Sequence, residues 1–308
     1  MSLRSNFISL FQSWDSYFFK PQDTSMCAII RIAFGLVLIP YVFVLGADLS
    51  VFHGEGGLLP FDIAVTLVDS DVLSPLGWIA PNDTALWFCF WFFCIQVILL
   101  VLGVETRFQA FGVFFWLIAF QHRNNLLLDG GDILARLTAV YLMCMPSGER
   151  FSVDAWFRSR KNLAPRLLPI WGLKLLQIQM ILLYLSTALL KVSGEKWLDG
   201  SALMYIVQLD DMFGRFPLPE AMLESIVFLK LLTWLVLLVE VSIPFGLLLN
   251  RTRIVTIVVA IVFHLSIDYS MNLFLFQWFM IVGILSFGRV ETFPLKWIFE
   301  TLSRKLSR

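Results

Sequence analysis

The chain has 308 residues, of which 58% are hydrophobic and 15% charged, with 23 Lys plus Arg against 23 Asp plus Glu. A mean hydropathy of +0.80 leaves too little polar surface for a soluble globule and defines a membrane protein. The net charge of zero carries no basic stripe, so no nucleic-acid partner is expected.

The first 25 residues hold Arg4, Asp15, Lys20 and Asp23, and within them Phe7–Phe19 reads as an amphipathic segment lying on the inner membrane surface. Apolar runs follow at 26–47, 84–104, 108–122, 131–146, 170–192, 226–249, 254–271 and 273–288. The first is long, carries Arg31 and lacks a small-residue cleavage site, so it reads as a retained span. Several runs fall short of the roughly 20 residues of a full crossing and call for tilt, burial in the bundle or re-entry. Only Asn272 divides the last two, which either bend or cross twice. The predicted fold is an all-α, polytopic integral membrane helical bundle of about eight spans over 26–288, followed by a basic cytoplasmic tail, 289–308.

Eight alternating spans with the N-terminus inside place fifteen Lys and Arg in inner segments and three, Arg123, Lys196 and Arg215, in outer ones. Residues 47–106 contain no Lys or Arg. That asymmetry predicts an N-in, C-in topology, and in a bacterium the location is the inner (plasma) membrane. Membrane lipid is therefore one partner. Cys27, Cys89, Cys94 and Cys144 all sit in apolar runs without a C-x-x-C pair, and read as small core residues.

Five basic residues fall inside the runs: Arg31, Arg136, Lys174, Lys191 and Lys230. An intramembrane ionisable group points to function or to a partner. Lys191 closes the run that begins near Ile170. There it either snorkels to the interface or, in apolar surroundings, serves as a general base. Arg31 needs a carboxylate, carbonyls or a water-filled cavity. Arg136 follows Asp132 by four positions and shares its helix face, which predicts an ion pair. His264 precedes Asp268 by four, so a carboxylate one turn away is expected to fix its tautomer. Glu240, mid-run, needs a cation, with Arg31 and Arg136 as candidates, or else a proton. His53 and Glu55 offer two ligands at unsuitable spacing, and no H-E-x-x-H, Walker A, G-x-G-x-x-G or G-x-S-x-G occurs. No metal is expected.

Several segments jointly resemble the HTTM (horizontally transferred transmembrane) domain, the membrane core of vitamin K-dependent γ-carboxylase. They are I-I-R-I-A-F-G around Arg31, L-G-V-E-T-R-F at Leu102–Phe108, and N-N-L-L-L-D-G-G-D around Asn125 and Asp132. To these add P-S-G-E-R-F-S-V-D-A-W, Y-L-S-T-A-L-L-K with the W-L-D-G of Trp197, and F-H…N-L-F around His264 and Asn272. The resemblance runs from about Trp14 to Phe287. It implies that Lys191 is a base that deprotonates reduced vitamin K or menaquinol, so that the quinol reacts with oxygen and the product strips a glutamate γ-proton before carbon dioxide adds. It implies catalytic roles for Lys191, His264 and Asp132. Quinol-binding or supporting roles fall to Arg31, Arg136, Asn125, Trp197, Glu240, Asp268 and Asn272.

Two features depart from the carboxylases. Their Asn-Asn-His at the head of the fourth helix is replaced near Gly130–Asp132, and the large extramembrane domain that binds propeptides has no counterpart in this sequence. Two functions are therefore carried forward. One is a membrane-embedded quinol-dependent oxygenase or γ-glutamyl carboxylase-like enzyme. The other is a non-carboxylating relative serving as maturation, export or immunity partner of a small secreted peptide or toxin. A transporter reading lacks inverted repeats or paired broken helices.

Overall fold

The computed structural model describes residues 12–60, 63, 75–80, 82–209, 212–216 and 218–290. Its main helices are α1 (Ser25–Ala47), α2 (Asp83–Leu102), α3 (Thr106–Gln121), α4 (Gly130–Cys144), α5 (Val153–Arg160), α6 (Trp171–Val192), α7 (Ile226–Leu248), α8 (Arg253–Ser270) and α9 (Phe276–Leu285). Every predicted run coincides with a helix to within three residues at each end. Among the described residues there are only two isolated β-bridges and no strand. The protein is an all-α polytopic membrane bundle.

Five helices, α1, α2, α6, α7 and α8, are long and apolar enough to cross a bilayer. At about 1.5 Å per residue the 16 residues of α3 and the 15 of α4 reach about 24 Å, short of a hydrocarbon core of about 30 Å. Helix α9, with 10 residues, reaches about half of it. Leu182, Leu189, Leu231, Leu238, Val255 and Val262 are exposed on α6, α7 and α8, and only hydrocarbon covers such faces without cost.

The chain divides after Leu175, inside α6, into two compact units. In the first, α1 packs on α2 and α4, α2 on α3, and α3 on α4. Phe34, Leu38, Phe93, Leu100, Leu117, Phe120 and Leu142 fill the core, with Phe93 stacked on Phe120 at 5.9 Å. Local chemistry sets the helix ends. The Asn82 side chain accepts from Ala85 N–H to start α2, and Gly103, at φ +76°, ends it with its N–H on Leu99 and Leu100 carbonyls, a left-handed cap that favours glycine. Asp129 and Asp132 form a reciprocal capping box at the head of α4, satisfying two otherwise orphaned donors.

Arg31, fully buried on α1, donates to the Ser147 carbonyl at 2.5 Å and to the Phe151 carbonyl. It thus fastens α1 to the turn before α5 by backbone acceptors, one of the three solutions its position required. The same turn is held by Glu149, which accepts from Arg158 and Arg166.

In the second unit α7 packs on α8 and α8 on α9. After Met271 the chain turns back, with Phe274 at φ +46°. His264 on α8 meets Gln277 on α9, and Arg253, Ile254 and Ile257 line one small cavity with Phe287–Arg289. The last two runs are thus an antiparallel hairpin with a short return leg. The connection between α6 and α7 folds as short turns against α7, and Phe213 bridges to Met271. Of the predicted Phe7–Phe19 segment, residues 12–19 are described and helical, while 7–11 and nearly all of the tail 289–308 lie outside the described residues.

Candidate functional site

Helical spacing puts Tyr184, Ala188 and Lys191 on one face of α6. Tyr184 and Ala188 are buried, while Lys191 keeps a quarter of its side chain exposed. Its ammonium does not simply run out to the interface. Nζ lies against Oε2 of Glu240, a buried carboxylate midway along α7. The Trp197 ring, carried by the short helix Glu195–Leu198, covers the same ammonium at 4.8 Å, a favourable cation–π distance. Lysine near a helix C-terminus also complements the dipole.

Beside this pair runs a buried polar chain. Tyr184 Oη meets His264 Nε2 at 2.5 Å, and His264 Nδ1 meets Gln277 Oε1 at 2.5 Å. An amide oxygen only accepts, so Nδ1 carries the proton and Nε2 accepts from the tyrosine hydroxyl. The tautomer is fixed on both sides. Glu240 acts electrostatically on Tyr184, and Lys191 on His264, which joins pair and chain into one cluster within the second unit.

Three expected pairings are replaced. The cation facing Glu240 is Lys191, not Arg31 or Arg136. Asp268 does not hold His264: it pairs with Arg215 at 2.8 Å, and the histidine takes Tyr184 and Gln277 instead. Asp132 does not pair with Arg136. It accepts from Tyr41 at 3.0 Å, from the Gln121 amide at 2.9 Å and from Asp129 N–H at 3.0 Å, while Arg136 reaches His122 Nε2 at 2.5 Å. A shared helix face permits an i, i+4 pair but does not enforce it once neighbouring helices offer better-aimed partners.

Asn272 is exposed and donates its N–H to the Met212 carbonyl at 2.7 Å. Asn125 opens a single 3-10 turn, Asn125–Leu127. Sequence reasoning passed over Tyr184 and Gln277. Their signal was present: a polar side chain in an apolar run, spaced to share a face with Lys191 or to lie across a hairpin from His264.

In the first unit a cavity of about 380 Å³ is lined by His53, Glu55, Asp83 and Arg123 among others. Burial, and then the Arg123 charge, push His53 down to about 4, so the ring is neutral at physiological pH. Among the described residues no group of three His, Cys, Asp or Glu side chains is placed to hold a metal ion.

A helical membrane bundle with a half-buried ion pair and a hydrogen-bonded Tyr184–His264–Gln277 chain defines a polytopic membrane protein with a polar cluster among its apolar helices. The chain belongs to the HTTM domain family, whose model matches residues 19–291. It is similar to the sporulation-delaying protein SdpB of Bacillus subtilis (strain 168), 25% identical over 175 residues, which are 54% of this chain and 53% of that protein. It is also similar to the uncharacterized protein YitO of the same organism, 24% identical over 156 residues, 49% and 50% of the two chains. The chain spans about half the length of the curated relatives it matches. No solved structure matches it.

Proposed function

We propose that the protein is a membrane-embedded maturation partner of a small exported peptide and that Lys191 and Glu240 form its proton-handling pair. The contact between Lys191 Nζ and the Glu240 carboxylate carries the reading. A proton moved from ammonium to carboxylate leaves a neutral amine beside a neutral acid, so the transfer creates no net charge in a low-dielectric site. The amine is then a base and the acid a donor. The Tyr184–His264–Gln277 chain holds the α6 and α8 faces in register and presents a hydroxyl beside the pair. Trp197 shields the ammonium from water. Similarity to a protein named for delaying sporulation supports a peptide or signalling setting over a metabolic one. Under the N-in, C-in topology proposed from the basic residues, Lys191 sits on the outer half of the bundle, where an exported peptide passes.

The test compares peptides released by the native host carrying the wild-type gene, a deletion, or Lys191→Arg. Arginine keeps the charge and the ion pair but does not give up its proton. The expected result is a secreted peptide that deletion changes in mass or amount, and that wild type restores but Lys191→Arg does not. An unchanged set of released peptides refutes the reading.

A second reading, a quinol-dependent oxygenase or γ-glutamyl carboxylase-like enzyme, is favoured by the same lysine with a proton acceptor in contact. Purified protein given reduced vitamin K or menaquinol, oxygen, labelled bicarbonate and glutamate-containing peptides should then yield quinone epoxide and fixed label. Epoxide alone indicates an oxygenase without carboxylation, and neither product rejects this reading.

A further inference from the structure

The two segments of the first unit that flank its helices at one end form a common ledge. Residues 12–19 are helical, with Phe18 buried and Trp14, Tyr17 and Phe19 exposed. A two-bond bridge joins Gln22 and Leu168 at 3.0 and 3.2 Å, Asp23 pairs with Arg150 at 2.7 Å, and Lys174 lies over the Tyr17 ring at 4.9 Å. Helix α5 buries no residue at all. Phe157, Leu163 and Leu167 stand 56%, 56% and 60% exposed along it and the following segment. Apolar side chains of this size on an unpacked amphipathic element are stable at a lipid–water boundary rather than in water.

The charges on the ledge are unbalanced. Asp23 is taken by Arg150 and by Ser25 N–H, Glu149 by Arg158 and Arg166, and Asp154 accepts from Glu105 N–H at 2.9 Å. Lys20, Arg160 and Lys161 are exposed and have no carboxylate partner among the described residues. Arg160 stacks on Trp156 at 4.3 Å, which pre-orders its guanidinium beside an aromatic suited to the headgroup layer. These acids are spent inside the fold; Asp15 is exposed on the same ledge, which leaves three outward-facing cations against one outward-facing carboxylate.

We infer that this ledge, residues 12–20 with 153–168, is a binding surface for anionic phospholipid headgroups, with Lys20, Arg160 and Lys161 contacting phosphate and the exposed aromatic and leucine side chains seated among the acyl chains. The surface belongs to the first unit, and lipid binding there does not rest on the function of the Lys191–Glu240 centre.

The test titrates the purified full chain in a neutral detergent with phosphatidylglycerol or phosphatidylcholine and counts retained lipids by native mass spectrometry. The wild type should prefer phosphatidylglycerol, the preference should shrink as salt rises, and Lys20→Gln with Arg160→Gln and Lys161→Gln should erase it. Each basic residue at an anionic surface contributes roughly fivefold in binding, so Lys161→Gln alone should lower the preference by about that factor. Arg160→Lys should retain it. Equal retention of the two lipids by the wild type overturns the proposal, as does a preference untouched by the triple variant in protein whose melting temperature is unchanged. Competition by inorganic phosphate as effective as that by phosphatidylglycerol also overturns it, because the site would then read a free anion.

Discussion

Lys191 and Glu240, 49 positions apart in the chain, meet ammonium to carboxylate inside the C-terminal unit. This contact neutralises two groups that the sequence presents as separate problems. It also locates them beside Tyr184 and His264, so four polar side chains share one desolvated region and each removes a cost from another.

Glu240→Gln should destabilise the second unit by about 1–3 kcal/mol, because it leaves a partly buried ammonium without its counter-charge. Lys191→Met combined with Glu240→Leu should recover most of that loss. Thermal unfolding in detergent of Lys191→Met, Glu240→Leu and the double gives the coupling directly, and additive losses would show that the pair is not energetically linked.

Tyr184→Phe removes the hydroxyl that donates to His264 Nε2 and leaves that nitrogen buried without a donor. A loss of roughly 1–3 kcal/mol is expected. The sharper readout is the imidazole: its nitrogen chemical shifts should reveal a mixture of tautomers in the variant and one tautomer in the wild type. A single, unchanged tautomer would assign the orientation to Gln277 alone.

Arg31→Lys preserves charge but replaces a planar fork with a point donor. Arg31 serves two carbonyls, of Ser147 and Phe151, and one of them should lose its partner. A destabilisation of about 2 kcal/mol and faster proteolysis within 147–168 are expected. Unaltered melting and cleavage would place the weight of this turn on Glu149 instead.

His53 has its folded-state value lowered from 6.5 to about 4, first by burial and then by Arg123. The unfolded chain therefore binds more protons than the folded one between about pH 6.5 and about pH 4, so stability falls as the medium is acidified through that window. The loss amounts to about 3 kcal/mol at its lower end. Melting temperatures taken across this range should drop less steeply for His53→Gln than for the wild type, and parallel curves would refute the assignment.

Hydrophobic run length and cation placement were enough to determine an all-α membrane bundle and eight of its main helices to within three residues, but not α5, whose sequence has no apolar run. A bilayer leaves a spanning chain few choices, since each backbone group must bond within its own helix. The motif order, read from Arg31 through His264, was likewise enough for the family. Run length already marked several segments as shorter than a full crossing, which α3, α4 and α9 are; that α9 doubles back on α8 came only from the fold.

Pairings among polar residues were not legible in the same way. Periodicity along one helix offered Asp132 to Arg136 and Asp268 to His264, and both were displaced by residues from other helices. Buried polar groups take whichever partner satisfies their geometry, and that depends on helix packing across distances of 11 to 120 positions. The sequence by itself determined which charged residues inside the apolar runs required a partner. The tertiary structure decided which partner each received, because only packing brings a donor on one helix within hydrogen-bond reach of an acceptor on another.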